Sequence, residues 1–394
     1  MTGAMYAAIA GLKTHMSKMN VIGNNIANVN TNGYKSQRTI FKDAMYTMYS
    51  SGSDGTNTTG GKNPAQIGYG SQVSTIDLDM HTGTYNPGIA TDCMIYGDGF
   101  FMVGDKDIAG RIDPSNPESV KGLKLTRVGD FSFKADGYLS DGNGNAVYGF
   151  LCTGIQDGVP TFSDQLVPIR LPKMDMVYRN AAGDVLPGKA EYDQLAPDEK
   201  GTAQMEILYP VTKGGTGLPD DPNIRLTDYQ KKGPGDEIID LPYAQLDSVS
   251  IDPKTGAITG TTKDTDELIT IGYLAIGNVT NPNGVTHEEG FYYTCGKGAG
   301  DLQVSLLGGK AQELGIGYVN GSLYPADAQH PQLEQMRVGS AGGTNLMTGG
   351  LEGSNVDLAT EISEMITTQR GYQANTRIIT VTDQMLEELV NMKR

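Results

Sequence analysis

Near the start of the chain, apolar residues fall at Met5, Ile9, Leu12, Met16, Met19 and Ile26, with Gly23 in the one gap. The steps alternate four and three residues, a heptad seam of period 3.5 that predicts a helix with one narrow apolar edge. Val29 and the cluster Asn30-Thr31-Asn32-Gly33 end it, because short amide side chains and glycine suit a turn. The other end repeats the pattern. Leu358, Met365, Tyr372, Ile379 and Leu386 recur at heptad spacing, with Ile362 and Val390 in companion positions. Ser354 and Asn355 stand where a helix cap is expected, and Asp357 and Glu361 lie in the early turns, where the helix dipole favours negative charge. A helix over 356–394 would run roughly 58 Å at about 1.5 Å per residue.

A seam residue stabilises a helix by about 1.5–3 kcal/mol only when it is buried. Each terminal helix has a single seam and therefore needs a partner. The other terminus is the expected one, giving paired, coiled-coil-like helices from residues 1–30 and 356–394. With most of the chain between them, the two ends are expected to come together late and in an oligomer.

The middle reads as β. A stretch at 51–66 rich in Gly, Ser, Thr and Asn reads as a flexible linker or irregular segment. Short apolar runs at 93–96 and 100–103 flank Gly97-Asp98-Gly99, a hairpin signal. Leu123, Leu125, Phe131 and Phe133 share one face of a strand-like run that Asp136-Gly137 turns back. Asp141-Gly142-Asn143-Gly144-Asn145 is a further turn. Beyond residue 151 the composition shifts to Pro-, Asp- and Lys-bearing segments, and strand signals return at 248–251, 257–259 and 268–276. The expected fold is thus mainly β with terminal α-helices. An inner, discontinuous β-domain spans 71–150 and 246–355, and an inserted outer β-domain spans 151–245. The Gly-rich stretch 296–350 has no assigned elements.

Composition supports many short strands over large compact cores. Of 394 residues, 53 are Gly, 8 are Phe and none is Trp, while apolar residues make up 38%. The net charge of −16 excludes a phosphate-tracking surface, and with it a nucleic-acid partner. Residues 1–70 are nonetheless net basic and 356–394 net acidic, which reads either as ordinary solvated surface or as a mutual attraction of the two ends. Three cysteines are too few for a disulfide scaffold. No apolar stretch reaches the roughly 18 residues of a membrane span, and a signal-peptide pattern is lacking at the N-terminus. On these grounds alone the chain would be cytoplasmic.

Candidate chemistry is sparse. The four histidines, His15, His81, His287 and His330, lack metal-ligand spacing, and His15 reads as a plain surface residue. Gly60-Gly61-Lys62 lacks the Ser or Thr of a phosphate loop, and the Asp136–Asn145 segment lacks the order and closing Glu of a calcium loop. The expectation is a non-enzymatic protein without catalytic residues, cofactor or metal.

Several segments taken together resemble the bacterial flagellar rod–hook axial protein family. At the N-terminus these are the Gly11-Leu12 pair and residues 20–36 (NVIGNNIANVNTNGYKS), which include Gly23, Asn24, Asn25, Ala27, Asn28, Asn30, Gly33 and Lys35. In the body they are Gly97-Asp98-Gly99-Phe100 with its flanks (IYGDGFFMV) and the run LTRVGDFSFKADGYL. At the C-terminus they are GSNVDL, with Asn355 and Asp357, and QRGYQAN, with Gln369, Arg370, Tyr372 and Asn375. The resemblance implies a self-polymerising subunit whose terminal helices line a tube, with β-domains outside them and a linker region over 31–70. Rod members of such a family are usually shorter, so the insertion at 151–245 points to a hook subunit, with a distal-rod subunit as the alternative. A secreted β-rich adhesin would leave both heptad seams without a purpose. The resemblance further implies export by the flagellar type III apparatus without a cleaved signal, which reverses the cytoplasmic expectation to an extracellular one. Its implied partners are further copies of the chain together with distal rod, hook cap and hook–filament junction proteins, and no nucleic acid or membrane.

Overall fold

The computed structural model describes residues 2–392 apart from 56–58, 108–111, 113–116, 157–158, 164, 183, 187–192, 197–198, 214–224, 228–230, 233–237, 240, 264–265, 307–316, 320–321 and 325–343. Much of the stretch expected as an outer domain, and of the unassigned 296–350, therefore lies outside the described residues. The chain divides into two compact units, Met1–Gly83 with Gly353–Arg394, and Thr84–Glu352.

The first unit holds both long helices, Thr2–Ala27 and Leu358–Met392. At the exit of the first, the Asn28 amide donates back to the Asn24 and Asn25 carbonyls, and the Asn28 side chain bonds the Asn24 carbonyl at 2.9 Å. The asparagines thus occupy the free acceptors of the last turn. The second helix is capped by Asp357, not by Ser354 or Asn355. Its carboxylate accepts the Ala359 amide at 3.0 Å and the Thr360 hydroxyl at 2.6 Å, and these bonds hold its pKa below the usual range.

Strand Gln37–Asp43 pairs antiparallel with Ser71–Leu78, with a bulge between Ile40 and Phe41. Tyr46–Ser50 pairs with Ala65–Gly68 as a two-stranded ribbon. The stretch 31–70, expected as a linker, thus carries three strands. Its β-branched and aromatic runs around Thr39-Ile40-Phe41 and Tyr46-Thr47-Met48-Tyr49 outweigh the Gly- and Ser-rich loop between them.

The second unit is built on a thirteen-stranded sheet, its described pairings all antiparallel. Along its main path run Leu246–Ile251, Ala257–Thr262, Leu268–Val279, Ala146–Gln156, Phe100–Gly104, Lys124–Thr126, Tyr292–Thr294 and Thr286–His287. Ile95, Phe101, Phe131, Leu139, Val147, Ile258, Leu274 and Ile276 form the centre of its core, and the Phe101 and Phe131 rings meet edge to face at 4.9 Å. The turn between Cys93–Tyr96 and Phe100–Gly104 holds Gly97 at φ +118° and Gly99 at φ +115°, a left-handed backbone that favours glycine. Strand Ala146–Gln156 runs across residue 151. Val159–Phe162 and Val167–Pro168 pair onto it, and Leu151, Val167, Ile169 and Leu171 share its core. Beyond them, Val185–Leu186, Lys173–Asn180 and Lys200–Leu208 form a separate three-stranded sheet.

Two buried polar centres brace this unit. Asp141 accepts from the amides of Asn143 (3.0 Å) and Asn145 (2.9 Å), folding its loop as an Asx-type turn. It also takes the Tyr292 hydroxyl at 2.5 Å; burial and this bond push that phenol upward in pKa. Arg127 and Glu352 are both fully buried, 3.6 Å apart. The Arg127 guanidinium donates to the Gly97 carbonyl at 2.8 Å and the Ile95 carbonyl at 3.3 Å. Cys93 and Cys152 are buried thiols and Cys295 is half-buried; all three are free. No described helix is long and apolar enough to cross a membrane. Among the described residues no group of three or more His, Cys, Asp or Glu is placed to hold a metal.

Candidate functional site

The two terminal helices pack against each other antiparallel within the first unit. Asn25 donates to Glu361 at 2.9 Å and Lys18 pairs with Glu364 at 3.0 Å. Further along, Gly371 faces the His15 ring and Gly11 faces the Asn375 amide. A Cβ added at Gly11 would stand 2.6 Å from Asn375 Nδ2, and one at Gly371 would stand 2.8 Å from His15 Cε1. The buried residues of the two helices are Ala8, Gly11, Thr14, Val21, Ile22, Asn25, Thr368 and Thr382, among which only Val21 and Ile22 are larger apolar side chains. The shared seam is therefore small and polar.

This corrects the expectation that the two apolar rows bury each other. Met5, Ile9, Leu12, Met19 and Ile26 are only half-buried, and Met16 is exposed. On the second helix Met365, Tyr372 and Ile379 are half-buried, while Leu358, Ile362, Leu386 and Val390 are exposed. Glycine allows a backbone approach that rows of Leu and Met would prevent, so the helices meet one position away from the apolar rows. The rows remain as free edges. Ile366, Ile378, Val381, Met385 and Leu389 are exposed beside them. An apolar surface spread along two long helices marks an interaction site.

Where the helices leave the seam, motif residues from distant parts of the chain form one hydrogen-bonded junction. Asn25 is buried with all four of its bonding positions used. It donates to the Gln37 carbonyl and Glu361, and accepts from the Gln37 amide and the Tyr34 hydroxyl. Asn355 accepts the Ser36 amide at 2.7 Å and donates to the Asp79 and His81 carbonyls at 2.8 and 3.1 Å. Lys35, fully buried, donates to the His81 carbonyl at 2.8 Å. The segment after the first helix, the loop at 79–81 and the segment before the second helix are locked together by these three side chains.

The electrostatics follow the geometry. Burial pushes the Tyr34 phenol up to about 12, helped by the Glu361 charge. Burial raises Glu361 too, partly offset by the Asn25 bond. Burial alone would raise Asp79, but hydrogen bonds from His81 and the Lys35 charge hold it low. His15 is not the plain surface residue expected. Its ring lies edge-on to Phe41, with centroids 6.1 Å apart, its Nδ1 is buried without a hydrogen-bond partner, and burial and Lys18 lower its pKa.

A lowered folded-state pKa favours the neutral ring, so the His15 contribution is fully present above its ordinary value of 6.5 and is lost as pH falls below it. Glu361 acts oppositely, because a raised carboxyl pKa adds stability as the group protonates. H15Q is therefore expected to flatten the acid loss of melting temperature between about pH 7.5 and 5. Thermal melts of both proteins across that range check it; parallel curves would show that His15 titrates freely.

Several motif residues do not join the junction. Gly23, Ala27 and Asn30 are exposed, and nothing lies within 4 Å of a Cβ built at Gly23. Asn24 bonds the Tyr34 hydroxyl at 3.1 Å. Gln369 and Arg370 are exposed on the second helix. Gly33 is buried close to the first helix. Asp98 and Phe100 belong to the second unit: the Asp98 carbonyl accepts the Thr344 hydroxyl at 3.1 Å, and the Phe100 ring lies 5.5 Å under the Arg127 guanidinium. Sequence reasoning missed the contact residues Lys18, Glu364 and Gly371, whose signal is a second heptad row of small and charged residues running alongside the apolar one.

Two family profiles match the parts of the chain that meet here. One, described as "Flagella basal body rod protein", covers residues 5–35, and the other, "Flagellar basal body rod FlgEFG protein C-terminal", covers 347–392. Several relatives align along essentially the whole chain. The flagellar hook protein FlgE of Borreliella burgdorferi is 27% identical with complete coverage of both chains. The chain belongs to the flagellar rod–hook family. The flagellar basal-body rod protein FlgG of Bacillus subtilis is 28% identical, again over all of both chains. The FlgE hook protein of Salmonella typhimurium is 24% identical over 98% of this chain and 99% of its own. A crystal structure of Helicobacter pylori FlgE2 overlays on 68% of this chain and 100% of its own at 10% identity, and its TM-score of 0.32 carries no inference. Members of the rod–hook family are structural components of the flagellum that polymerise within its axial structure, and they are not known as enzymes.

Proposed function

We propose that the chain is the hook subunit of a bacterial flagellum, polymerising outside the cell into a curved, flexible tube that passes motor torque to the filament. The observation that carries the assembly part is the helix pair. Its internal contact uses small and polar residues, and its apolar edges, from Met16 to Val390, stay free. A monomer gains nothing from those edges, whereas neighbouring copies can bury them. In this reading residues 1–30 and 356–394 form the inner layer of the tube, 71–150 and 246–355 surround it, and 151–245 face outward. The subunit leaves through the flagellar type III apparatus without a cleaved signal. Its polymer contacts distal rod, hook cap and hook–filament junction proteins.

The hook choice rests on the added strands of the 151–245 stretch, among them the three-stranded sheet around Lys173–Asn180. Full-length similarity to a FlgG rod protein at 28% identity favours the distal rod as the second reading. Electron micrographs of the purified polymer separate the two. Short curved tubes are expected; straight, stiff rods would sink the hook reading and leave the axial one standing.

A further inference from the structure

The unit that bears the terminal helices also bears the most exposed methionines. Met45 is 80% exposed, Met392 78%, Met48 57%, and Met16 and Met385 are each 51% exposed. In the second unit Met94 and Met174 are 2% exposed and Met102 is 0%, and its two exposed methionines among the described residues, Met347 at 40% and Met176 at 38%, are less open than those five. Nor are the five scattered. Met16 lies on the free edge of the first helix, Met385 and Met392 lie beside Leu386, Leu389 and Val390 on the second, and Met45 and Met48 flank Tyr46 next to Tyr49 and Ile67 on the two-stranded ribbon.

We propose that these five residues are oxidation sites through which peroxide-class oxidants gate assembly. This rests on the assembly reading above. The thioether sulfur attacks one oxygen of the peroxide, the O–O bond breaks, and the sulfur gains an S=O bond. Sulfur is oxidised by two electrons, the peroxide is reduced, and water leaves. A flexible apolar side chain becomes a polar one with a strong acceptor, and burying that acceptor without a donor is unfavourable. Each subunit carries the change at five places on surfaces that neighbouring copies would cover, so the effects multiply along the polymer. Once assembled, the same sulfurs are shielded. Oxidation therefore acts on free subunits only, excluding damaged copies while sparing the finished polymer, and sulfoxide reductases can reverse it.

The test treats purified full-length monomer with graded hydrogen peroxide, maps sulfoxides by peptide mass spectrometry, and measures the critical concentration for polymerisation by sedimentation. Modification is expected at Met16, Met45, Met48, Met385 and Met392 before Met94, Met102 and Met174, with a rise in critical concentration of at least about tenfold. Methionine sulfoxide reductases are expected to restore it. In preformed polymer the five sites are expected to resist doses that consume them in the monomer. A variant with leucine at all five positions, compared only with its own untreated sample, is expected to lose the peroxide response. Equal oxidation rates in polymer and monomer, or unchanged polymerisation after full modification of the five, would overturn the proposal and leave the assembly reading intact. Failure of untreated wild-type protein to polymerise would overturn both.

Discussion

Leucine at Gly371 is expected to drive the terminal helices apart and abolish polymer formation, with leucine at Gly11 acting in the same direction. At Gly371 even a Cβ would stand 2.8 Å from His15 Cε1, and that ring is already packed edge-on against Phe41. Overpacking a fitted contact costs about 1–3 kcal/mol. The helix pair has little to offset that, because its own seam buries few large apolar side chains. Alanine at Gly11 is the control. It has only the amide end of Asn375 to displace, and replacing a helical glycine recovers up to about 1 kcal/mol. G11A is therefore expected to polymerise at close to the wild-type concentration while G371L sediments as monomer. Sedimentation, with far-UV circular dichroism to follow the helices, checks both; polymerisation of G371L at the wild-type concentration would show that the helix contact is dispensable.

The second large effect concerns Arg127. Both it and Glu352 are fully buried, so R127M leaves a carboxylate in the core without its counter-charge. It also removes the donors to the Ile95 and Gly97 carbonyls, beside the Gly97-Asp98-Gly99 turn. Breaking a buried pair from one side costs about 3–5 kcal/mol. At about 2–4 °C per kcal/mol for a unit of this size, the melting temperature is expected to fall by roughly 6–20 °C. Removing both charges in R127M/E352L is expected to restore much of that loss, because an apolar pair carries no desolvation penalty. Calorimetry on the two variants decides it. A single variant that melts like wild type would mean that the pair contributes little net stability.

The terminal helices were legible because heptad spacing survives any tertiary context. Which face of each helix meets the other was not. The apolar row Met5, Ile9, Leu12, Met16 is the louder pattern, yet Gly11, His15, Lys18 and Asn25 make the contact. Glycine, histidine and lysine are read as breaks or surface positions, and only the close approach of two backbones reveals their use. The capping assignment slipped for a related reason. Ser354 and Asn355 look like caps, but Asn355 serves the junction with Ser36 and Asp79, leaving Asp357 to cap. The turn at Gly97-Asp98-Gly99 was readable from its glycines, but the expected hairpin does not form: Cys93–Tyr96 pairs with Asn345–Thr348, while Phe100–Gly104 joins the large sheet. The partners of the strand at 146–156 were not readable, because Leu268–Val279 and Phe100–Gly104 lie far away in sequence. Asn25, Lys35 and Asn355 stood out as family motif residues, whereas their convergence on one junction required coordinates.

The account stands or falls on where the free apolar edges go. Electron cryo-microscopy of the purified polymer at side-chain resolution tests that directly. Both terminal helices are expected in the innermost layer, with Met16, Ile362, Leu386 and Val390 buried against neighbouring copies. Polymers in which those side chains face solvent, with contacts made by the β-unit alone, would contradict it.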